Sequence, residues 1–454
     1  MPTNIEARNY RGTRDYLRPE SDLRRIVVDK IIGVFERFGF EPLETPIIEL
    51  RETLLGKYGE EGNRLTYFFR KGDEEIGLRY DHTVPLSRVV AQHLKEIVLP
   101  YRRYAVGPVF RADTPQKGRY RQFTQCDFDI IGVSEPIADA EVVTVSYNVL
   151  RQLGFEEFEI QISDRNLLNG MAKAIGASTQ EQIFAVLRSW DKIDKASREQ
   201  ISGELGNAGV SSGVIESFNK ITDRLLEVRG SNEEILVQVQ SLFPQNQEIE
   251  KGINTLRKLN NYLTLFGVPP KYYRISPTLA RGLDYYTGPI FETVVKRAQI
   301  GSITGGGRFD NLIEKLGGPQ IPGTGSSFGL ERVITVMEQL GITPKELPGI
   351  EVFVTVFDPN SYDCQEESIK LISQVRNLGY KAEMYMGDGR LSKQLQLADR
   401  RRCPLVIIVG PDERENDLVT VKDLRKSPGG EKINQVQIKR QELPAFLEKL
   451  LKSE

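Results

Sequence analysis

Histidine and cysteine are scarce in this chain: two histidines, His82 and His93, and three cysteines, Cys126, Cys364 and Cys403, lie among 454 residues. The cysteines are far apart and form no C-x-x-C pair. A structural zinc site, which needs several nitrogen or sulfur ligands at short spacings, is therefore excluded, and no metal held by protein ligands alone is expected. So few thiols, odd in number, build no disulfide framework and point to a reducing compartment, the cytoplasm. No run of about 18 apolar residues occurs, so no membrane partner is expected. Met1–Tyr10 has no apolar core of a secretory leader. With 61 basic and 63 acidic residues the net charge is −2, which denies the chain a global positive field; any nucleic-acid contact must come from local patches. Two nucleotide motifs are missing as well. There is no G-x-x-x-x-G-K-[ST] phosphate loop, and after Gly323-x-Gly325 the third glycine of a dinucleotide fingerprint is replaced by Phe328, with no βαβ unit ahead of it.

What remains is ordinary globular composition, 39% hydrophobic and 27% charged, over a length that suggests about three domains. Apolar residues recur at helical spacing from Leu23 to Phe38, and Gly39 stands where a C-terminal cap belongs. Glu41–Leu50 reads as extended, broken by Pro42 and Pro46, and Tyr67–Arg79 as a hairpin turning at Gly72-Asp73. Arg102–Asp113 and Tyr120–Val133 read as an antiparallel pair joined by a short Pro/Gly loop. Ile137–Leu153 is helical and Glu156–Ser163 extended. Helical patterns dominate 166–265, strand patterns return at Lys271–Ile275 and Pro289–Val295, and prolines and glycine mark a boundary at Gly341–Pro348. Beyond it, strand runs at Val352–Val356, Ala382–Met386, Leu405–Val409 and Leu418–Val421 alternate with helical ones, the pattern of a separate α/β domain.

Three segments carry chemistry. Tyr101–Arg121 brings Arg102, Arg103, Arg111, Lys117, Arg119 and Arg121 to one hairpin, opposed only by Asp113. A guanidinium fixed on a strand suits bidentate contact with phosphate or carboxylate, although a solvated charge run on an edge hairpin has the same composition. On the returning strand Gln125, Asp127 and Asp129 share one parity and Cys126, Phe128 and Ile130 the other. The second parity suits a core; the first suits either a zwitterionic ligand or open water. The next segment, Arg281-Gly282-Leu283-Asp284-Tyr285-Tyr286, sets an arginine, an aspartate and two tyrosines ahead of an apolar strand. One tyrosine can pack while the other faces a small aromatic ligand. Last come the glycine-rich runs Thr304–Asp310 and Gly323–Arg332, where backbone can approach a ligand closely. Arg332 falls in the first turn of the helix that follows, where a cation opposes the helix dipole and is better explained by a phosphate partner than by stability.

In this order the segments resemble the class II aminoacyl-tRNA synthetases. The first helix with Glu41–Leu50 and its Pro46 resembles motif 1, Tyr101–Ile130 motif 2, and Gly323–Arg332 motif 3. Within that class, Arg281–Tyr286, Arg11-Gly12-Thr13-Arg14-Asp15-Tyr16 and Pro115-Gln116-Lys117-Gly118-Arg119-Tyr120-Arg121 are similar to signatures of the histidyl-tRNA synthetase family.

The resemblance implies an α+β catalytic core with an antiparallel sheet, in two parts (1–165 and 266–340). A helical insertion (166–265) lies between them, and an α/β anticodon-binding domain (349–454) follows. It implies a homodimer that turns L-histidine and ATP, taken with Mg2+ and without a prosthetic group, into histidyl-adenylate and then charges tRNA(His). Arg111 would hold the α-phosphate, Arg332 the γ-phosphate, and Arg281 would supply the cation that other class members take from a metal. Asp113, Arg119 and Phe123 would complete the ATP site. Asp81 and Gln125 would hold the histidine ammonium, Asp129 and Tyr286 would read the imidazole, and Thr83, Tyr285, Gly305 and Gly306 would line the pocket. Gln116, Arg119, Lys393 and Arg400 would meet tRNA, the last two on a helix whose Lys393-Gln394, Ala398-Asp399 and Arg400–Arg402 are placed to face it. Three positions depart from the family pattern: Phe309 in place of tyrosine, Asn311 in place of glycine, and Thr114 in place of an arginine. The alternative is a paralogue that binds histidine as a regulatory subunit of ATP phosphoribosyltransferase; the presence of Arg111, Arg281 and Arg332 and of a C-terminal domain argues against it.

Overall fold

The computed structural model describes residues 6–55, 59–193, 196–282, 285–298, 300–344, 349–425 and 435–451. They fall into two compact units, Met1–Thr343 and Pro344–Glu454.

The first unit is built on a sheet of eight strands: β1 (Glu41–Pro42), β2 (Tyr101–Phe110), β3 (Gln122–Ile131), β4 (Glu159–Asp164), β5 (Tyr273–Ile275), β6 (Pro289–Val294), β7 (Thr304–Arg308) and β8 (Gly323–Gly329). Their spatial order is β1-β2-β3-β8-β7-β6-β4-β5. The two edge pairings are parallel and all the internal ones antiparallel. The expected β2–β3 hairpin forms, in register from Tyr101↔Ile131 to Phe110↔Gln122.

Strand alternation divides β3 as its parity predicts. Cys126, Phe128 and Ile130 are buried on one face, under helices α1 (Glu20–Arg37), α2 (Pro136–Gln152) and α3 (Leu330–Leu340). The stripe Leu23, Val27, Ile31, Val34 and Phe35 of α1 is buried there, with the Phe35 ring 4.8 Å from Phe128 and 6.4 Å from Phe328. Each such ring contributes roughly 1.5–3 kcal/mol by leaving water. Helix α1 ends at the expected glycine, Gly39, at φ +74°.

Strands β7 and β8 are the largest addition to the sequence reading, which saw only glycine runs where the centre of the sheet lies. Their glycines answer to crowding. A Cβ on Gly306 would sit 2.2 Å from Gly325 O, and one on Gly325 would sit 2.1 Å from Asp129 Oδ1. Glycine weakens a strand by itself, and here it is retained because neighbouring backbone and a carboxylate take the space.

Before β2, Ile48–Leu50, Glu74–Leu78 and Phe68–Lys71 form a small antiparallel sheet, its hairpin turning at Gly72 (φ +60°), followed by helix Thr83–Gln92. The described residues of 165–265 form six helices. Three of them open with the Ser/Thr-x-x-Glu/Gln capping box that their sequence carries: Thr179/Gln182, Ser197/Gln200 and Ser231/Glu234. The last helix, Gln247–Leu265, packs on α2 and so joins this segment to the sheet.

The second unit has a five-stranded sheet in the order Ala382–Met384, Val352–Val354, Leu405–Ile408, Leu418–Asp423, Gln435–Lys439. The first three strands are parallel and the last two antiparallel. Its fifth strand was not anticipated, since Gln435–Lys439 is polar and lies at an edge. Of the expected boundary, Gly341 ends α3 at φ +66°, and 345–348 lie outside the described residues. One expectation is corrected. On helix Leu391–Arg400, Lys393, Asp399 and Arg400 are exposed, but Gln394 and Ala398 are buried and face no RNA. Helical spacing turns them inward, and the Gln394 amide bridges backbone: it accepts from Val356 N–H (2.9 Å) and donates to Val356 O (2.8 Å) and Gly389 O (2.9 Å). Replacing Gln394→Leu leaves those groups unpaired and is expected to destabilise this unit by about 2–4 kcal/mol. Urea unfolding of the full chain checks this, and an unmoved midpoint would refute the bridging role.

Candidate active site

The open face of the sheet is charged and nonetheless dry. Gln125, Asp127 and Asp129 are all buried, which rules out the solvated-face reading. Arg103 reaches the same face from β2, directly opposite Asp129 in the register. Its Nη2 lies 2.7 Å from Asp129 Oδ2, an ion pair at an angle outside hydrogen-bond geometry, and donates to His82 O at 3.1 Å. Burial pushes Asp129 up to about 7, with Asp127 and Asp81 pushing the same way and Arg103 opposing. Asp127 is raised by burial too, against Arg103, the Ser327 hydroxyl that donates to it, and Arg111.

Asp81 arrives on the turn ahead of helix Thr83–Gln92, where its Oδ1 accepts the N–H groups of Thr83 (3.0 Å) and Val84 (3.1 Å). That fixes the carboxylate at the helix start, a favourable place for an anion. His82 is buried beside it, its ring 3.3 Å from Gly107 O, and is pushed down to about 3 by burial and by Arg79 and Arg103. It is therefore neutral at physiological pH.

Tyr285 and Tyr286 close the pocket, their rings 4.6 Å apart and their hydroxyls 3.5 Å apart. Both phenols are raised by burial, Tyr286 also by Asp129, Asp81 and Asp127, so they stay protonated donors. Gly282, at φ +56°, leaves room for the Tyr286 ring, which a Cβ would meet at 2.0 Å. Leu283 and Asp284 of the same signature lie outside the described residues. Gly307 also bears on Tyr286, 3.0 Å from a notional Cβ, while Gly305 faces Arg281 Nη1 at 3.8 Å. The small acidic cavity and the arginines therefore share a wall.

Arg111 continues the hairpin ladder through its N–H to Arg121 O (2.9 Å) and donates from Nε to Tyr80 O (3.2 Å). Its guanidinium lies 4.1 Å from the Tyr80 ring centroid and 5.2 Å from that of Phe123. Burial works against this cation, but Tyr80, Asp81, Tyr285 and Asp113 outweigh it and hold its pKa above the ordinary value. Arg332 is anchored by Nη1 to Ser302 O (2.9 Å) and by Nε to Gly118 O (3.3 Å). Its pKa is lowered by burial and then by the positive charges of Arg119, Arg281 and Arg111. Four arginines from three separate segments thus crowd one cleft. Arg281 pairs with Glu292 and Arg119 with Asp113 at 3.5 Å. Mutual repulsion of this kind is what a polyanion relieves.

Several working residues escaped the sequence reading. In the sequence Arg103 is one of six hairpin cations with no visible partner, Asp127 is one of two carboxylates sharing a face, and Glu292 belongs to no motif. The cations do not form one patch: Arg102 pairs with Glu141 at 2.7 Å. Arg121 is structural, tying the opening segment down through Tyr10 Oη (2.9 Å), Arg11 O (3.3 Å) and its own N–H to Gly12 O (2.8 Å). Glu331, beside Arg332, accepts from Thr124 N–H and Tyr16 Oη and pairs with Arg24 at 2.9 Å, tying α1 to α3. Gln116 and Arg119 are exposed at the hairpin tip, where their backbones bond each other. Lys393 and Arg400 belong to the other unit.

A mostly antiparallel sheet carrying these arginines on its hairpin and on the strand–helix unit that follows it defines a class II aminoacyl-tRNA synthetase. The family model for histidyl-tRNA synthetases matches residues 12–333, and that for an anticodon binding domain matches 351–450. The histidine–tRNA ligase of Gloeobacter violaceus is 37% identical over 91% of this chain and 93% of its own length, and that of Rhodopirellula baltica 38% identical over 92% and 94%. The crystal structure of histidyl-tRNA synthetase from Nostoc sp. PCC 7120 superimposes with a TM-score of 0.83 at 28% identity, covering 99% of this chain and all of that one. The chain belongs to the histidyl-tRNA synthetase family, the enzymes that join histidine to its tRNA with ATP.

The crowding at Gly325 can be checked directly. Gly325→Ala is expected to cost about 1–3 kcal/mol, because its Cβ must displace Asp129. Gly305→Ala, which meets only the tip of Arg281, is expected to unfold close to the wild-type midpoint. Equal midpoints in thermal denaturation would remove the steric assignment.

Proposed function

We propose that the cleft activates L-histidine with MgATP and passes the histidyl group to tRNA(His), with the residues named above in specific roles. The carrying observation is the convergence of Arg111, Arg281, Arg332 and Arg119 beside a pocket of buried Asp81, Gln125 and Asp129 and half-buried Tyr286. Arg111 faces the α-phosphate, with Phe123 beside it. Arg332 and Arg119 take the outer phosphates of MgATP, with Asp113 beside them at the hairpin tip. Arg281 approaches the α-phosphate from the side opposite Arg111, held by Glu292.

In-line attack of the histidine carboxylate on the α-phosphate asks the protein for position and charge rather than covalent help. Asp81 and Gln125 hold the ammonium. Asp129 accepts from one imidazole nitrogen while the Tyr286 hydroxyl donates to the other, so an apolar isostere leaves both unpaired. Thr83, Tyr285, Gly305 and Gly306 complete the wall. The three cations favour this reading over a non-catalytic regulatory paralogue, whose fold is shared: an ATP phosphoribosyltransferase regulatory subunit/histidyl-tRNA synthetase from Bacillus halodurans matches in fold, with a TM-score of 0.74 at 21% identity.

The division into a two-part core (1–165 and 266–340), an insertion (166–265) and an anticodon-binding domain (349–454) is proposed with it. Gln116 and Arg119 would meet the acceptor end of the tRNA, and the exposed Lys393 and Arg400 the anticodon. Three free cysteines support a cytoplasmic location, and no helix among the described residues is long and apolar enough to cross a membrane. A homodimer is supported by exposed Ile47, Ile48, Leu50 and Leu55 on and beside the motif 1 strand, with Val98 and Leu99 exposed ahead of β2; an apolar patch of this kind marks an interface.

Two experiments follow. Arg281→Ala should lower histidine-dependent ATP–pyrophosphate exchange by about a hundredfold or more with the fold intact by circular dichroism, the usual loss for one preorganised charge. Exchange that requires another amino acid, or full activity in this variant, would overturn the assignment. The double substitution Ile48→Asp, Leu50→Asp should convert a dimer of 51.4 kDa subunits to monomer by light scattering; a monomeric wild type would dismiss the interface.

A further inference from the structure

Arg103 is completely buried, yet it is spent on no phosphate and lies on no tRNA-facing surface. Its Nη2 touches two elements: it is ion-paired with Asp129 Oδ2 on β3 and donates a hydrogen bond to His82 O on the turn between Asp81 and Thr83. Nε and Nη1 have no hydrogen-bond partner among the described residues. A buried guanidinium so poorly satisfied adds little to stability, and apolar replacement of buried ion pairs is often neutral or favourable. Its placement needs a reason in the pocket.

We propose that Arg103 is the positioning residue of the histidine site: it opposes protonation of Asp129, the acceptor for the imidazole N–H, and locks that carboxylate to the Asp81–Thr83 turn. The proposal rests on the reading of Asp129 as the imidazole acceptor. The groups facing Asp129 are Arg103 from β2, Asp127 from its own strand, Asp81 from the turn and the Tyr286 phenol from the signature segment. Gly325 of β8 closes over it with backbone alone. Burial and two carboxylates favour protonation, and Arg103 is the opposing charge. Three carboxylates in one dry cavity cannot all stay charged without such a cation. Once protonated, Asp129 becomes a donor, and the pocket no longer distinguishes an imidazole N–H from an acceptor. The Nη2 bond to His82 O adds a mechanical link: the residues on either side of His82 are the ones proposed to hold the ammonium and line the wall, so one guanidinium sets the distance between the two ends of the ligand.

The sign of the pH effect follows. Removing Arg103 raises the pKa of Asp129, so binding competence is lost near neutrality and recovered as pH rises. His82, held neutral far below this range, does not contribute. The substrate's own imidazole titrates identically for every variant and cancels in ratios to wild type.

The test is histidine-dependent ATP–pyrophosphate exchange from about pH 6 to about pH 9 for wild type, Arg103→Met, Arg103→Lys and Asp129→Asn. For a shift of one pKa unit or more, Arg103→Met should raise the histidine KM about tenfold or more at neutral pH. The penalty should shrink toward the alkaline end, while kcat at saturating histidine and the KM for ATP change little. Arg103→Lys should keep the acid limb in place and raise KM severalfold, since a compact ammonium keeps the charge but cannot reproduce the planar guanidinium's placement between Asp129 and His82 O. In Asp129→Asn the KM should be raised at every pH, with no limb. A wild-type KM and limb in Arg103→Met alongside an impaired Asp129→Asn would overturn the role of Arg103 and leave Asp129 in place. A wild-type KM in Asp129→Asn would remove both. If Arg103→Met does not fold, Arg103→Lys decides: an unchanged KM, or an acid limb shifted to higher pH, overturns the proposal.

Discussion

A β-strand must send successive side chains to opposite faces, and the active site depends on how strand Gln122–Ile131 obeys that constraint. One parity is aromatic and aliphatic and is clamped beneath helix Glu20–Arg37, with Phe35, Phe128 and Phe328 in contact. The other parity carries an amide and two carboxylates with almost no access to water. The first face supplies the stability that lets the second be held in a conformation it would not choose alone. A one-residue slip in register would exchange the two faces and destroy both functions at once.

Electrostatics then organise the cleft in two zones of opposite sign. The acidic zone, with its neutral histidine and protonated tyrosines, suits a small cationic and aromatic ligand. The zone of Arg111, Arg119, Arg281 and Arg332 is under mutual repulsion and suits a triphosphate. They share a wall at Gly305–Gly307, where the absence of side chains lets Tyr286 and Arg281 approach the same backbone. Adjacency of the two zones brings a carboxylate and an α-phosphate together, and in a reaction governed by position and charge that is most of the catalytic work. Phe309, in place of the family's tyrosine, is buried in an apolar cluster 6.5 Å from the Tyr285 ring, so the missing hydroxyl faces packing rather than ligand.

Much of the scaffold was legible because its signals are local. The parity of Gln125–Ile130, the helical stripe from Leu23 to Phe35 and the turn at Gly72 each depend on residues within a few positions of one another. The centre of the sheet was not legible. Thr304–Arg308 and Gly323–Gly329 have no hydrophobic alternation, because their glycines answer to a carbonyl oxygen and a carboxylate contributed by neighbouring strands. Gln394 reads as a surface residue beside Lys393, and only the loop folded over it supplies the backbone groups that make it a buried bridge.

The sequence by itself therefore determined the residue types, their faces and the order of the motifs, since backbone geometry imposes these on any chain. It also carried the family, whose signatures lie in contiguous segments. Tertiary structure decided the partnerships: Arg103 with Asp129, Arg281 with Glu292, Arg308 with Asp139, and Arg102 diverted to Glu141. Charges that look alike along a hairpin become anchor, strut or ligand contact according to what meets them in space. Coulomb energy and desolvation depend on distance and burial, and neither is written in the spacing of residues along the chain.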